Sequence, residues 1–478
     1  MDRHEMFKKE RIGKLVLKFS IPAIAAMAVS ALYNVIDRIF VGQGVGAEAL
    51  SGIAVTAPMM MILTAFALLC AAGTSVLVSI KLGEGNAAEA EHTIGNAFSL
   101  AMTMGLVLSL ILIFFLKPIL VIFGGTGIVL DYAVQFMQII TLAVIFQFTG
   151  YTLNYSIRAV GNPVMALVTI VIGAVINTIL NPFFIFVLHL GVRGSALATL
   201  VSQFVTMIWT IAYFTNPRHA IRLKLRNLIP SFSIIKRILT VGLPPLFLQG
   251  MASITLSVAN IVVFRYGGNN GLAVIGVLGV IYVMFQMILS GIGQGVAPII
   301  GYNYGSNNFA RVSRTVRIAM LMGTVICLVG FTGTFFFNKS IMALFTRENA
   351  ELLDTGAPGL KVICLALPLM GFEIIAGGYF QAIGKYPAAI FINLLRQSLV
   401  TIPLLLLFSR FYGLKGCFAA FPATDVIAAI VIAVMLAAEW KKQKIKSAGA
   451  ADIPLSPEED LPESAESIGT DRQIKAGG

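Results

Sequence analysis

The chain has 478 residues, of which 58% are hydrophobic and only 12% charged, and its mean hydropathy is +0.89. Such a composition excludes an ordinary soluble domain, in which about a quarter of the residues are charged. The formal net charge of +12 invites a nucleic-acid reading, but the charges are gathered in a few short stretches, and that placement points to membrane topology instead.

Arg3, Lys8, Lys9, Arg11, Lys14 and Lys18 precede or open the first apolar segment. Twelve apolar segments follow, each long enough to cross a ~30 Å hydrocarbon core, which takes roughly 20 helical residues. They start near residues 15, 51, 93, 132, 163, 194, 236, 272, 312, 357, 387 and 416. The central interruption is basic, with Arg218, Arg222, Lys224, Arg226, Lys236 and Arg237. Arg311, Arg314 and Arg317 follow helix eight, and Lys441, Lys442, Lys444 and Lys446 follow helix twelve. With twelve crossings these clusters fall on one side, which the positive-inside rule makes the cytoplasm. Both termini are then cytoplasmic, and the protein is a multi-pass resident of the cell (inner) membrane with no nucleic-acid partner. The first apolar run opens the first repeat, so no cleavable signal is expected.

Residues 15–215 are written a second time about 222 positions later. Pro22 returns as Pro244, Gly83 and Asn86 as Gly305 and Asn308, and Gly191 and Gly194 as Gly413 and Gly416. Arg158-Ala-Val-Gly161 returns as Gln381-Ala-Ile-Gly384, one residue further on. Six helices per copy is an even number, so the two copies enter from the same side as parallel repeats, the signature of a secondary transporter. The fold class is all-α integral membrane. The chain divides into an N-terminal segment (1–14), a six-helix lobe (15–215), a basic linker (216–235) and a second lobe (236–440). A polar tail (441–478) ends it, and the acidic, proline-containing last thirty or so residues should be disordered.

Polar residues inside the membrane are informative because each is costly there unless paired or hydrated. Asp37, Glu373 and Asp425 are the carboxylates within predicted helices, with Glu439 at the end of helix twelve. His4, His92, His189 and His219 lie in loops or at helix ends. Cys70, Cys327, Cys364 and Cys417 sit within or at the ends of apolar segments without metal-ligand spacing, as small core residues do. No triad, metal-ligand cluster or phosphate loop emerges, which argues against an intramembrane enzyme, and no cofactor is expected.

Asn34 precedes Asp37 by three residues on helix one, and helix five offers Asn177 and Asn181 one turn apart. Pro182 then frees the carbonyl of Thr178. A carboxylate, amides and a spare carbonyl could hold a proton or Na+, with Asp37, Asn177 and Asn181 as its ligands. The competing reading pairs Asp37 with its neighbour Arg38. In the second half, Glu373 and Asp425 with Arg396 between them read either as a structural ion pair or as the cation-attracting lining of a substrate cavity. Gln286 and Met287 would join that cavity, although lipid-facing methionines look the same in sequence.

At these residues the chain resembles the multidrug and toxic compound extrusion (MATE) family, and most closely its bacterial MepA-like branch. The likeness spans residues 12 to 440. Its marks are Leu32-Tyr-Asn-Val-Ile-Asp37-Arg-Ile-Phe-Val-Gly42, Gly161-Asn-Pro, Gly293-Gln-Gly-Val-Ala-Pro298 through Gly305, Gln381-Ala-Ile-Gly384-Lys, Arg396-Gln397 and Pro422-Ala-Thr-Asp425. The resemblance implies two six-helix lobes forming a V, and export of cationic dyes, biocides and other drugs against inward H+ or Na+ movement, hence a role in antibiotic resistance. It assigns ion coupling to Asp37 with Asn177 and Asn181, and adds the helix-six hydroxyl of Thr199. The sodium-coupled branch carries a Glu early in helix seven and an Asp early in helix ten. Here Leu246-Phe-Leu-Gln249-Gly-Met-Ala-Ser253 has no acid, and Met370 stands at the second place. Coupling through the first lobe, with a preference for protons, is the resulting expectation, for a protein working as a monomer. A flippase for a lipid-linked sugar is the rival transport reading; it would need a basic cavity for the diphosphate. A receptor is the remaining class.

Overall fold

In the computed structural model, residues 3–345 and 350–451 are described, and every regular element among them is a helix. A short α1 (Arg3–Lys9) leads into α2 (Ile12–Gly44), α3 (Ala47–Gly83), α4 (Ala87–Ile122), α5 (Gly127–Ala159), α6 (Pro163–Pro182) and α7 (Val192–Thr215). A five-residue π-turn, Phe183–Val187, extends α6 beyond its proline. The second half holds α8 (Phe232–Gly268), α9 (Asn270–Gly305), α10 (Phe309–Phe336), α11 (Asn338–Phe345), α12 (Ala350–Cys364), α13 (Leu367–Ala382), α14 (386–412) and α15 (414–451).

Helices α2 to α7 are the six expected crossings of the first lobe, and α8, α9 and α10 open the second. The tenth crossing is a bent pair, Gly356–Cys364 with Leu367–Ala382, at 44°. The last apolar stretch, Tyr386–Ile445, runs 60 residues, about 90 Å at ~1.5 Å per residue, or some three membrane thicknesses. It is two crossings, because the chain folds back at Gly413: a β-carbon on Gly416 would stand 2.0 Å from the carbonyl oxygen of Phe408, eight residues earlier. The expected polar tail from residue 441 starts later than the sequence suggests, since the lysine run 441–446 prolongs α15 to Ala451. Residues 452–478, which hold most of the tail expected to be disordered, lie outside the described residues.

The repeated punctuation has a structural cause at each position. Asn86 caps α4 by accepting from the Glu89 amide at 3.0 Å, and Asn308 caps α10 by accepting from the Arg311 amide at 3.2 Å. Gly191 and Gly413 share one backbone conformation, φ 58°, ψ −139° and φ 59°, ψ −137°, which suits glycine best. Gly83 and Gly305 have another purpose. A β-carbon on Gly83 would lie 2.0 Å from the Tyr302 carbonyl oxygen, and one on Gly305 would lie 2.2 Å from that of Ile80. The ends of α3 and α9 therefore cross in backbone contact about a pseudo-twofold axis, an approach that only small residues permit in lipid.

The tightest backbone approaches between the lobes, at Gly73, Gly83, Gly242, Gly295 and Gly305, lie in the half of the molecule that carries α1 and the basic linker. One apolar core there is shared by both lobes, with Phe19, Leu82 and Ile157 against Leu289, Val296 and Ile299. Arg158 of α5 donates across the seam to the side-chain oxygen of Gln294 on α9. Toward the opposite end the core splits. Val41, Ile53, Phe136 and Val192 form one cluster wholly in the first lobe, and Val263, Val274, Leu405 and Phe418 form another wholly in the second. The molecule is a V joined at its basic end and parted at the other.

Candidate functional site

The first-lobe site is built where α2, α6 and α7 meet. Gly44 brings the end of α2 hard against the π-turn, since a β-carbon there would stand 2.4 Å from Ile185. That contact sets Asp37, two turns back along α2, beside the end of α6. The side-chain amide of Asn181 donates to Asp37 Oδ1, and Ser195 Oγ on α7 donates to the same oxygen at 2.7 Å. One turn away, Asn177 Nδ2 donates to Thr199 Oγ1 at 3.2 Å. Helices α6 and α7 are antiparallel, so the two amides and two hydroxyls form two rungs, and the carboxylate closes the upper one.

Asn181 and Ser195 are fully buried, and Asn177 nearly so. The side-chain oxygen of Asn181 is buried without a hydrogen-bond donor, a state that costs about 1–3 kcal/mol. Among the described residues, no cation lies within ion-pair distance of Asp37. Arg38 is exposed, and the alternative pairing with it does not form. The site therefore presents a carboxylate held only by neutral donors, with an orphan amide oxygen on the residue that holds it. A proton or a small hard cation is the chemistry that such a set of oxygens can accept.

The structure separates Asn34 from this group. Its amide donates at 2.6 Å to the carbonyl of Ser30 on its own helix, and the side chain is exposed. Ser195 is the participant that sequence reading missed. Its signal was available: it precedes Thr199 by one helical turn and so shares its face.

In the second lobe, Arg396 Nε lies 2.9 Å from Glu373 Oε2 and 3.6 Å from Asp425 Oδ1, and Arg396 Nη2 donates to the Tyr282 hydroxyl at 2.6 Å. Arg396 sits in a π-turn, Leu395–Leu399, which carries it inward. Glu373 is 1% exposed, and neither of its carboxylate oxygens has a hydrogen-bond donor of good geometry. Glu373, Arg396 and Asp425 thus come together as an ion-paired group inside the lobe. Gln286 and Met287 are half-buried on α9. Tyr282, one turn before Gln286, is the second missed participant.

A duplicated six-helix bundle, joined at one end and holding a half-buried carboxylate hydrogen-bonded only by neutral donors, has the architecture of a membrane transporter. A sequence model of the MatE family matches residues 22–183 and again 244–407, starting at the two repeat prolines, and the chain belongs to that family. Among curated relatives, the multidrug export protein MepA of Staphylococcus haemolyticus (strain JCSC1435) is 26% identical over 410 residues, spanning 86% of this chain and 90% of the relative. MepA of Staphylococcus aureus (strain MRSA252) matches with the same identity and coverage. A multidrug resistance MATE family transporter of the MOP superfamily, solved in an outward-facing conformation, superposes with a TM-score of 0.85 at 25% identity, covering 92% of this chain and 98% of that one. A MATE structure in a bent conformation gives a TM-score of 0.88 at 24% identity, over 94% and 99% of the two chains.

Proposed function

We propose that the protein is a multidrug antiporter of the cytoplasmic membrane, exporting cationic or amphipathic toxic compounds in exchange for H+ or Na+ bound at Asp37. The observation that carries this reading is the half-buried Asp37 carboxylate, which has two neutral donors and, among the described residues, no cation within ion-pair distance. The names of the MepA relatives support the cargo class, and the basic clusters at the closed end support a cytoplasmic location for that end. The open end of the V then faces outward.

In this state Asp37 takes up the ion, together with Asn177, Asn181, Ser195 and Thr199. Neutralising the carboxylate changes the packing of α2 on α6 and α7 and weakens the hold on the drug, which leaves outward. The lobes then close at the outer end and part at the basic end, and the ion leaves to the cytoplasm. A ligand shifts such an equilibrium only by its differential affinity for the two states, so ion and drug must favour opposite or mutually exclusive forms. The absence of an acid between Leu246 and Ser253 on α8 favours the first-lobe site, and the protein works as a monomer. Ethidium efflux from proteoliposomes, measured under an imposed pH gradient and separately under an imposed Na+ gradient, tests the reading. Efflux driven by one of them is expected; efflux indifferent to both removes the antiport mechanism.

A further inference from the structure

The linker between the lobes makes contacts that the transport cycle does not use. Its backbone is fastened to α4. Asn96 Nδ2 donates to the Asn227 carbonyl at 3.3 Å, the Ser231 amide donates to Asn96 Oδ1 at 2.5 Å, and Ser99 Oγ donates to the Leu228 carbonyl at 2.6 Å. Gly95 permits the approach, since a β-carbon there would stand 2.3 Å from the Asn227 oxygen. Glu91 accepts from the Arg222 amide at 3.0 Å and pairs with Lys224. Polar backbone that would otherwise need water is thus satisfied by the helix behind it.

Three apolar side chains of the linker are uncovered. Leu225, Ile229 and Phe232 are 85%, 72% and 80% exposed, and they follow one another at intervals of four and three residues. Their depth can be placed. Helix α4 has 36 residues, about 54 Å, and so overhangs a ~30 Å hydrocarbon core by roughly 12 Å at each end. Asn96 and Ser99 stand roughly 14 to 18 Å from its start. The sequence of α4 changes character at the same level, from Glu89, Glu91, His92 and Thr93 to an apolar run beginning at Phe98. The three apolar side chains therefore project at the height where headgroups meet acyl chains.

Within the linker itself the charge has one sign. No Asp or Glu occurs between residues 216 and 237, and among the described residues Arg222, Arg226 and Lys236 have no carboxylate within ion-pair distance. Lys224 and Arg237 are matched by Glu91 and Glu89. We infer that the linker is an interfacial anchor that seats anionic phospholipid headgroups on Arg222, Arg226 and Lys236 while Leu225, Ile229 and Phe232 enter the acyl region. An apolar face in the boundary layer and unneutralised cations beside it are the two elements of anionic-membrane recognition. The anchor is rigid with α4 of the first lobe and continuous with α8 of the second, so it ties both lobes to one leaflet.

Two measurements on the full chain test this. First, delipidated protein in detergent is titrated with phosphatidylglycerol or phosphatidylcholine and bound lipids are counted by native mass spectrometry. Wild type should retain phosphatidylglycerol preferentially, and the Arg222→Gln/Arg226→Gln/Lys236→Gln variant should bind it about tenfold or more weakly. Equal retention by the variant, or displacement of the lipid by inorganic phosphate alone, would overturn the inference. Second, Phe232→Trp is placed in a Trp209→Phe/Trp440→Phe background and reconstituted with lipids brominated near the headgroup end of the acyl chain. Quenching of the introduced indole is expected. Emission that bromolipid leaves unchanged and aqueous iodide quenches would place the linker in water and overturn the anchor.

Discussion

The two lobes share a backbone plan yet hold their intramembrane acids in opposite ways. In the first, Asp37 is met by an amide and a hydroxyl, both neutral, and among the described residues no cation lies within ion-pair distance of it. In the second, Glu373 and Asp425 share Arg396, whose charge is permanent. The repeat places Ala259 where Asp37 stands and Gln203 where Asp425 stands, so the polar groups do not obey the duplication that fixes the glycines and caps. A carboxylate compensated by a guanidinium is a poor place for an exchangeable ion, because the counter-charge never leaves. A carboxylate compensated only by dipoles still lacks its cation. The common backbone supplies two bodies, and the difference in their chemistry is what favours the proposal that ion exchange belongs to the first.

The contrast can be broken from the second lobe. Arg396→Leu leaves the buried Glu373 and the half-buried Asp425 uncompensated, and removing one partner of a buried ion pair typically costs about 3–5 kcal/mol. The variant should melt far below wild type in detergent, and adding Glu373→Gln and Asp425→Asn should recover much of the loss. Equal melting temperatures for Arg396→Leu and wild type would show that the cluster is hydrated and free. Next in size is Gly305→Leu, which forces a side chain into the Ile80 carbonyl and should cost roughly 1–3 kcal/mol in the basally closed form. Spin labels across the basic end should report a wider separation in that variant.

Smaller effects sharpen the first-lobe site. Ser195→Ala removes a hydrogen bond to a carboxylate, worth about 1.5–3 kcal/mol, so the ion concentration for half-maximal efflux should move by roughly tenfold or more. The direction names the ion: it falls if a proton binds, because the donor stabilised the empty carboxylate, and it rises if the hydroxyl ligates Na+. Asn34→Ala should change stability by less than about 0.5 kcal/mol and leave ion dependence intact, since its amide serves only its own helix. A shift equal to that of Ser195→Ala would return Asn34 to the site.

Much of the architecture was legible because its signals are local and strong. Unbroken apolar runs and the glycine and asparagine punctuation recurring at 222 placed most helix starts to within about four residues, those of α4 and α5 being six and five residues late. The bend in the tenth crossing has a different mark, Pro368 directly after the break, which the repeat pattern does not bring out. Within the site, the amides of α6 were found because two asparagines one turn apart in a membrane helix are conspicuous. Ser195 was not, because a serine near a helix start is usually a cap and costs little anywhere. Asn34 misled because a three-residue spacing shares only the broad face of a helix, and backbone bonding by short polar side chains competes with contacts between helices. Tyr282 was hidden by its type, an amphipathic residue as common at lipid boundaries as beside a buried arginine.

The most direct measurement compares Asp37→Asn with Glu373→Gln in proteoliposomes loaded with ethidium and energised by the gradient that drives wild type. Loss of gradient-driven efflux in Asp37→Asn together with its survival in Glu373→Gln is the predicted result. Efflux retained by Asp37→Asn and lost in Glu373→Gln would contradict it and move ion exchange into the second lobe.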